Sequence, residues 1–490
     1  MRDRHTTYRF DLGSEGVKLP IPRSAKLKNR SIRASNVTKN SAQKPFCSEN
    51  PGKLIFLSCN LSLIELSSRY HTLGKRLLMN NYLPSYRQII ESIGYWKLPI
   101  SLGLLTIGVY GVVLYGFGLL LYDITSSTKW TISSMSLANT LGSIGGAAFG
   151  VLAGMSLRWI SARVLMCAGL LVGSIAIWAA SLATSQTIFI ICWTLGASTL
   201  HATLFYHITM ALVAQRHAED RAKAFMILTL VGGLSSPIFI PVGGLISSLE
   251  DWRFAMQVMS LGAVLFAIPG LMAAPTRAIG QANTGMAPDK SNRPGSLTRT
   301  MYLLVSNRQL IFLTLIFSLY GLATNGIQFH HVAAIQTLGF SLSTAVAISG
   351  ARGFLSLPGR AALAFMENKL GAKRALTGVY LMTFISTLAF LLEPSLTTMW
   401  AFAIIGGIAF GTLLPLQGLL ASESIGERNF EATLASQQGA VSFIASFGAL
   451  GMGALYDFTS NYQTVFLLAA VVQLVGIIFL QFWSKPRTQS

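Results

Sequence analysis

Long apolar runs separated by short polar breaks fill the sequence from Leu98 onward and limit the folds that this chain can adopt. Each run comes close to the roughly 20 residues that an α-helix needs to cross the hydrocarbon core of a bilayer. The strict apolar–polar alternation of a transmembrane barrel is absent. We count twelve runs, which cover residues 98–122, 135–157, 164–183, 187–214, 222–247, 254–274, 309–334, 341–365, 374–392, 396–421, 431–455 and 463–483. The sequence therefore predicts an all-α membrane protein with twelve transmembrane helices.

Composition agrees with a membrane protein. Hydrophobic residues make up 52% of the 490 residues and charged residues 11%, whereas a soluble chain carries about 25% charge. The four cysteines show neither the spacing of a metal site nor that of a disulfide framework. No nucleotide-binding loop, nucleophile elbow or HExxH sequence occurs, and the spans contain no acidic general base. We therefore expect no enzyme, no cofactor and no metal.

The net charge of +19 is concentrated at the start of the chain, where residues 1–97 hold 17 Lys and Arg against 6 Asp and Glu. This stretch is rich in Ser and Asn, and its apolar segment Leu54–Leu66 is too short to cross a membrane. No signal-peptide layout follows Met1. We expect residues 1–95 to form a basic, disordered cytoplasmic tail rather than a nucleic-acid-binding segment, with Met79 as an alternative start.

The basic residues predict the orientation of the spans. Cytoplasmic loops carry an excess of Lys and Arg. The loops after even-numbered spans and the C-terminus hold sixteen such residues, whereas the loops after odd-numbered spans hold two, Lys129 and Arg253. Both termini should therefore be cytoplasmic, in the cytoplasmic or inner membrane of the cell.

A repeat divides the spans into two sets of six. The longest internal break, Pro275–Arg308, lies between them. Leu157–Leu165 after span two resembles Glu367–Leu376 after span eight, and Pro241–Met256 after span five resembles Gly451–Phe466 after span eleven. We predict six-helix bundles at residues 96–275 and 308–485, joined by a cytoplasmic linker at 276–307. Transporters built from such repeats bind solute near the midplane, between the halves.

Two arginines interrupt span eight. Arg352 lies near the middle of the stretch Ser341–Phe365, and Arg360 lies two turns further on. An arginine at the centre of a membrane helix costs roughly 2.5–3.5 kcal/mol, so it usually faces a cavity or a partner. Eight residues at 100° each turn the two side chains about 80° apart, so one can face a cavity while the other faces a neighbouring helix. Each arginine is either a cationic solute site or a structural tie to backbone carbonyls.

Several motifs, in this order, resemble those of the major facilitator superfamily. The loop after span two keeps Gly154, Ala162 and Arg163 of the family's G-x-L-x-D-R-x-G-x-R signature, and the loop after span eight keeps more of its second copy. The order of the other motifs resembles the monocarboxylate and oxalate/formate branch and its bacterial relatives. These motifs are RAKAF (Arg221–Phe225), DWRFA (Asp251–Ala255), HHVAAIQTLGFS (His330–Ser341) and the pair Gly359-Arg360.

That resemblance implies a site. In the branch, an arginine of span eight pairs with the substrate carboxylate, and Arg360 is the matching position, with Arg352 as the second candidate. The Asp that links transport to protons in some members is replaced by Ser349, and span one has Tyr110 and Tyr115 in place of a lysine. These departures speak against proton coupling by the family's route, while a co-transported proton stays open as a partner.

Further polar candidates lie in spans seven, ten and eleven. Asn325 and Gln328 are one turn apart, and Gln417 and Gln437 are the other amides that we assign to the site. An amide that only bridges two helices remains the alternative for each. The histidines of spans four and seven favour a structural role, and no spacing among them makes a metal site.

We predict a secondary active transporter, a monomer in the lipid bilayer, that moves a small organic anion of the monocarboxylate type by alternating access. The alternatives are an exporter of neutral or cationic solutes, such as a sugar or a drug, and a transport-dead sensor or membrane enzyme. An exporter of that kind would give Arg360 a structural partner instead of a cavity.

Overall fold

The computed structural model describes residues 86–278, 307–424 and 430–484. The tail that was expected to be disordered, apart from its last ten residues, lies outside these ranges. Met79 and most of the expected linker 276–307 also lie outside them.

Helices make up nearly all of the described chain. In chain order they are α1 (Tyr86–Tyr110), α2 (Phe117–Thr128), α3 (Ile132–Ser156), α4 (Ala162–Ser181), α5 (Gln186–Leu204), α6 (Tyr206–Arg216), α7 (Arg221–Gly232), α8 (Ser235–Leu249), α9 (Trp252–Ala273), α10 (Arg308–Thr337), α11 (Leu342–Leu370), α12 (Ala372–Leu388), α13 (Leu396–Ser422), α14 (Phe430–Thr459) and α15 (Tyr462–Phe482). A π-helical turn, Gly111–Gly116, joins α1 to α2.

Within the described residues, ten helical segments are long and apolar enough to cross a membrane. Three of them combine two consecutive helices, namely Gly94–Thr128, Gln186–Arg216 and Lys223–Leu249. Helices α11 and α12, which correspond to the predicted spans eight and nine, are not among the ten. Helix α11 carries the two arginines, and α12 has 17 residues, fewer than the roughly 20 of a full crossing. The all-helical membrane fold is confirmed, and the count of twelve crossings stays a prediction.

Polar residues just before the helices explain where the spans begin. At the start of seven helices, a side-chain oxygen accepts a hydrogen bond from a backbone N–H of the first turn, which satisfies one of the free donors there. These capping residues are Thr131, Ser161, Ser185, Asp251, Asn307, Ser395 and Asn461. The short polar breaks in the sequence are thus the positions at which the chain can start a new helix.

The structure corrects the start of the first span. Helix α1 begins at Tyr86, so the last ten residues of the expected disordered tail are helical. Hydropathy locates the apolar stretch that begins at Leu98, but a helix can continue beyond the membrane through polar residues such as Lys97. The apolar run therefore indicates which part of α1 can cross the membrane, but it does not indicate where the helix begins.

Two spans that the sequence predicted as unbroken helices are interrupted. The fourth is broken at Phe205, whose backbone is extended, and the fifth between Gly232 and Ser235. Hydropathy does not register such breaks, because the residues at them are as apolar as their neighbours. In membranes, broken helices are tolerated where the freed backbone groups are buried in protein or line a cavity.

The most extensive contacts between the part of the chain before residue 279 and the part after residue 306 are those of α2 with α10, α3 with α14 and α8 with α11. Helix α11 also packs closely on α13, where a Cβ added at Gly411 would lie 2.0 Å from the Ser356 carbonyl oxygen. Small residues of this kind allow membrane helices to approach closely. This packing holds α11, and with it Arg352, against both α8 and α13.

Candidate solute-binding site

A cavity with a volume of about 230 Å³ lies where five of the predicted spans meet. This empty volume includes space open to solvent, and the enclosed part has room for about one water molecule. It is lined by Tyr115 of the π-helical turn, Ser236 and Ile240 of α8, Gln328 and His331 of α10, Ser349, Arg352 and Gly353 of α11, and Phe410 of α13. None of these lining residues is acidic, and several present polar groups, so the cavity suits a small polar or anionic solute.

Arg352 supplies the positive charge of the cavity. The residue is 4% exposed, and its Nη1 donates a hydrogen bond to Gln328 Oε1 at 2.8 Å. The guanidinium carbon lies 4.9 Å from the ring centre of Phe402 and 5.5 Å from that of Phe410, which are cation–π distances. Its Nε is buried without a protein partner. Within the described part of the chain, the contacts of the guanidinium are thus with neutral groups, and its Nε remains free to donate.

His331 and Ser349 contribute polar atoms to the same cavity. The Nδ1 atom of His331 lies 3.1 Å from the Ile327 carbonyl oxygen and 2.9 Å from that of Gln328. Since a carbonyl can only accept, Nδ1 carries the hydrogen and Nε2 is the unprotonated nitrogen of the neutral ring. Ser349 Oγ is buried without a hydrogen-bond partner. Arg352 lies three residues further along α11, so the two side chains share one helix face.

The structure brings three of the sequence-predicted site residues together: Tyr115, Gln328 and Arg352 all line the cavity. The Tyr115 hydroxyl also interacts with the Ser236 hydroxyl of α8. The tyrosine expected on span one and the amide expected on span seven therefore meet the deeper of the two arginines.

Arg360 and Tyr110 lie outside the lining residues, in a second polar group. Arg360 is half-buried, and its Nη1 donates a short hydrogen bond to the Thr229 carbonyl oxygen of α7. The guanidinium also interacts with the Tyr206 hydroxyl, and the Tyr206 ring packs 4.9 Å from that of Tyr110. Arg360 thus has the backbone tie that the structural interpretation of these arginines expected.

The three remaining amides also lie outside the cavity lining. Gln417 Nε2 donates to Tyr380 Oη at 2.8 Å and bridges α13 to α12. Asn325 is half-buried on α10. Gln437 is fully buried on α14, and its two amide atoms have no protein partner. Their assignment to the solute site has no support from this geometry.

His330 has the contacts of a structural histidine, as its sequence context favoured. Its Nε2 lies 2.9 Å from the Ala449 carbonyl oxygen, so this nitrogen donates, and Nδ1 lies 3.2 Å from Tyr462 Oη, from which it accepts. These contacts tie α10 to α14 and α15.

Four further residues of the cavity lining, Ser236, Ser349, His331 and Phe410, were not predicted from the sequence as site residues. Serine is common in membrane helices, where its hydroxyl usually bonds to a carbonyl of its own helix, so it gives little signal. The His330–His331 pair was noticed, but the sequence does not show which ring faces inward. Phe410 could be found only from the packing of α13 on α11.

The fold and the cavity define a multi-pass membrane transporter. The family model of the Major Facilitator Superfamily matches residues 102–429. The chain therefore belongs to the major facilitator superfamily. Among curated proteins, none matches the chain by sequence.

Solved structures of several transporters share the fold at low identity. The nucleoside transporter NupG is 13% identical with a TM-score of 0.68, and the comparison covers 80% of this chain and 100% of that one. A bacterial homologue of the human lysosomal transporter Spinster is 13% identical with a TM-score of 0.63, over 81% and 97% of the chains. A D-xylose–proton symporter is 14% identical with a TM-score of 0.61, over 81% and 99%. At these identities the likeness shows the fold and not the solute.

Proposed function

We propose that this transporter carries a small organic anion, with a carboxylate as the recognised group, through the cavity around Arg352. The observation that carries the proposal is a buried guanidinium that faces a cavity without an acidic lining residue. A charge taken out of water requires compensation, and an anionic solute supplies it. The planar fork of arginine suits a carboxylate in particular, because it can form two parallel hydrogen bonds.

The geometry favours Arg352 over Arg360 as the anchor, which reverses the order that the family resemblance implied. Arg352 has a donor, Nε, without a protein partner, whereas Arg360 Nη1 is engaged with a backbone carbonyl. We keep Arg360 as a second cation near the cavity, because both arginines interact electrostatically with the Tyr115 hydroxyl.

The overall organisation is proposed with the function. It comprises twelve crossings in two six-helix bundles, residues 96–275 and 308–485, with both termini in the cytoplasm. Helices α11 and α12, added to the ten segments that are long and apolar enough to cross a membrane, would give the twelve crossings. The protein is proposed to work as a monomer in the cytoplasmic membrane by alternating access. The cross-contacts of α3 with α14 and α8 with α11 are the surfaces that would separate and close.

The alternative is a carrier of neutral or cationic solutes, in which both arginines are structural. The contact of Arg352 with the neutral Gln328 and the tie of Arg360 to Thr229 favour it. Two of the transporters that share the fold are named for a nucleoside and for D-xylose. The two functions differ in what happens when each arginine loses its charge.

Counterflow in proteoliposomes tests the proposal. Radiolabelled pyruvate, lactate, formate, oxalate, D-xylose and uridine are offered to vesicles preloaded with the same unlabelled compound. We expect exchange of at least one carboxylate and of neither neutral compound. Arg352→Gln should abolish the carboxylate exchange, since the amide keeps polar contacts but loses the charge. Arg352→Lys should retain exchange with a raised apparent substrate constant, because the charge stays and the fork is lost.

Arg360→Gln is the matched control on the same helix and should reduce exchange less than Arg352→Gln. If Arg360→Gln abolishes exchange and Arg352→Gln does not, the anchor is Arg360, as the family resemblance implied. Normal carboxylate exchange by both variants, or exchange of xylose or uridine alone, would show that the solute is not recognised as an anion.

A further inference from the structure

His331 and Arg352 face the same cavity from two helices and share two neighbours. The Gln328 side chain accepts from Arg352 Nη1, and the Gln328 carbonyl oxygen accepts from His331 Nδ1. The Phe402 ring lies 4.9 Å from the Arg352 guanidinium carbon and 5.9 Å from the His331 ring centre. A fixed cation and a titratable imidazole are therefore held side by side at the candidate solute site.

The two ring nitrogens of His331 have different tasks. Nδ1 donates to two backbone carbonyls of its own helix, which fixes the ring and its tautomer. Nε2 is then the nitrogen that can bind or release a proton. Since His331 lines the cavity, a proton at Nε2 can exchange with whichever side the cavity opens to.

Among the residues that the structure describes, few other charges act on this imidazole. Arg352 faces the imidazole from α11, and Tyr115 lines the same cavity from the π-helical turn. Phe402 of α13 contributes an uncharged aromatic ring. On its own helix, His330 is the nearest titratable group, and its nitrogens are engaged with Ala449 and Tyr462. The guanidinium is thus the main charge near His331, and it repels a second positive charge on the ring.

We propose that His331 binds the proton that accompanies the anion, so that transport is anion–proton symport; this inference rests on the proposed function. A carboxylate at Arg352 cancels the repulsion between the guanidinium and the imidazolium. The anion therefore favours protonation of His331, and by linkage the proton favours binding of the anion to the same degree.

The transported charges balance. A proton from the water on the loading side forms an N–H bond at Nε2, and a monocarboxylate binds Arg352. After the cavity opens to the other side, the anion leaves, the repulsion returns and Nε2 releases its proton. One negative and one positive charge cross together, so the cycle moves no net charge and does not depend on membrane potential.

Uptake of labelled pyruvate and lactate into proteoliposomes with an imposed pH gradient tests the inference. A 1:1 symporter accumulates a monoanion about tenfold for each pH unit of gradient, because one pH unit corresponds to about 1.4 kcal/mol. His331→Asn should lose this accumulation, and its counterflow exchange should show a raised apparent substrate constant, because the neutral Asn resembles the unprotonated state that binds the anion less tightly. The Asn amide can still donate from the position of Nδ1, whereas the titratable Nε2 is gone. A pH-sensitive dye inside the vesicles should show proton entry with the wild-type protein and none with the variant.

His330→Gln is the matched control, since its amide can replace the donor to Ala449 and it should keep gradient-driven accumulation. Accumulation by His331→Asn, or wild-type counterflow without gradient-driven accumulation, would overturn the inference and leave the proposed function standing. If His331→Asn lost exchange of lactate but kept exchange of pyruvate, the inference would also be overturned. His331 Nε2 would then accept a hydrogen bond from the lactate hydroxyl, which pyruvate lacks, instead of binding the transported proton. Absence of carboxylate counterflow in the wild type would instead refute the proposed function.

Discussion

At the scale of single residues, the sequence pointed to α11 and placed Arg360 first, whereas the arginine that lines the cavity in the structure is Arg352. The cost of a guanidinium inside an apolar span drew attention to Arg352 and Arg360 without any structural information. Their spacing of eight residues showed that they point in different directions, yet the absolute rotation of α11 is set by its packing on α8 and α13. The structure turns Arg352 into the cavity and Arg360 toward the Thr229 carbonyl.

The same limit applies to the uncharged site residues. Tyr115 and Gln328 were predicted and line the cavity, whereas Tyr110, one to two turns before Tyr115, packs on Phe205 and Tyr206. All are ordinary residues of membrane helices, so composition cannot separate those that face a cavity from those that bridge helices. The orientation of each helix decides which of its polar residues face the cavity.

Gln328→Glu provides a residue-scale test of the anionic site. Gln328 Oε1 already accepts from Arg352 Nη1 at 2.8 Å, so the substitution places a carboxylate beside the guanidinium with little change in shape. This internal anion should compete with the solute. We expect carboxylate counterflow to fall by at least tenfold, or about 1.4 kcal/mol, with normal amounts of protein in the membrane.

Asn325→Asp is the control for that variant, because it adds the same charge one turn earlier on α10, at a residue outside the cavity lining. Exchange should persist in this control. If Gln328→Glu exchanged carboxylates as well as the wild type does, Arg352 would not be the group that binds them.

At the scale of helices, the apolar pattern predicted the elements well and their interruptions poorly. A span is defined by the length of its apolar run, so the predicted seventh span, 309–334, falls within α10, Arg308–Thr337. The break at Phe205 and the π-helical turn Gly111–Gly116 change the hydrogen bonding without changing hydropathy. The π-helical turn carries Tyr115 of the candidate site, and an irregular backbone is tolerated where it lines a cavity.

One contact between helices joins the two parts of the chain at the start of α3. Asp457, near the end of α14, accepts hydrogen bonds from the backbone N–H groups of Ile132 at 3.2 Å and Ser133 at 2.8 Å, and from the Ser133 hydroxyl. A carboxylate is favoured at this position because the N-terminus of a helix carries partial positive charge and unpaired donors. The contact should stabilise the arrangement in which α3 and α14 are closed at this end.

Asp457→Asn removes the charge and keeps the size, so it should weaken this closure by about 0.5–2 kcal/mol, the usual range for a helix cap. We expect faster maleimide labelling of a cysteine placed at Ser236 of the cavity, from the side on which Asp457 lies. The measurement uses a chain whose four native cysteines are replaced by serine. Asp123→Asn is the control, since the Asp123 carboxylate accepts from Ser247 of α8. Equal labelling rates in all three proteins would show that Asp457 does not hold the closed arrangement.

At the scale of the whole molecule, family membership is shown, whereas the orientation in the membrane rests on charge alone. The family model covers residues 102–429, and the repeat at an offset of about 210 residues was visible in the sequence. Neither fixes which side of the membrane the loops occupy. The sixteen Lys and Arg residues on one side against two on the other are the physical basis for the prediction, because basic loops stay in the cytoplasm.

Labelling of single cysteines on intact cells checks this orientation. A cysteine placed at Ser127, an exposed position in the last turn of α2, should react with a membrane-impermeant maleimide from outside. A cysteine placed at Ser291, within the long basic stretch and outside the described residues, should react only after the cells are opened. Ser127 lies near Lys129, on the side predicted to hold two Lys and Arg residues. Ser291 lies between Lys290 and Arg293, on the side predicted to hold sixteen. Labelling of position 291 but not 127 from outside would mean that the topology is inverted. Labelling of both from outside would mean an even number of crossings between the two positions instead of the predicted five, and the count of twelve would fail.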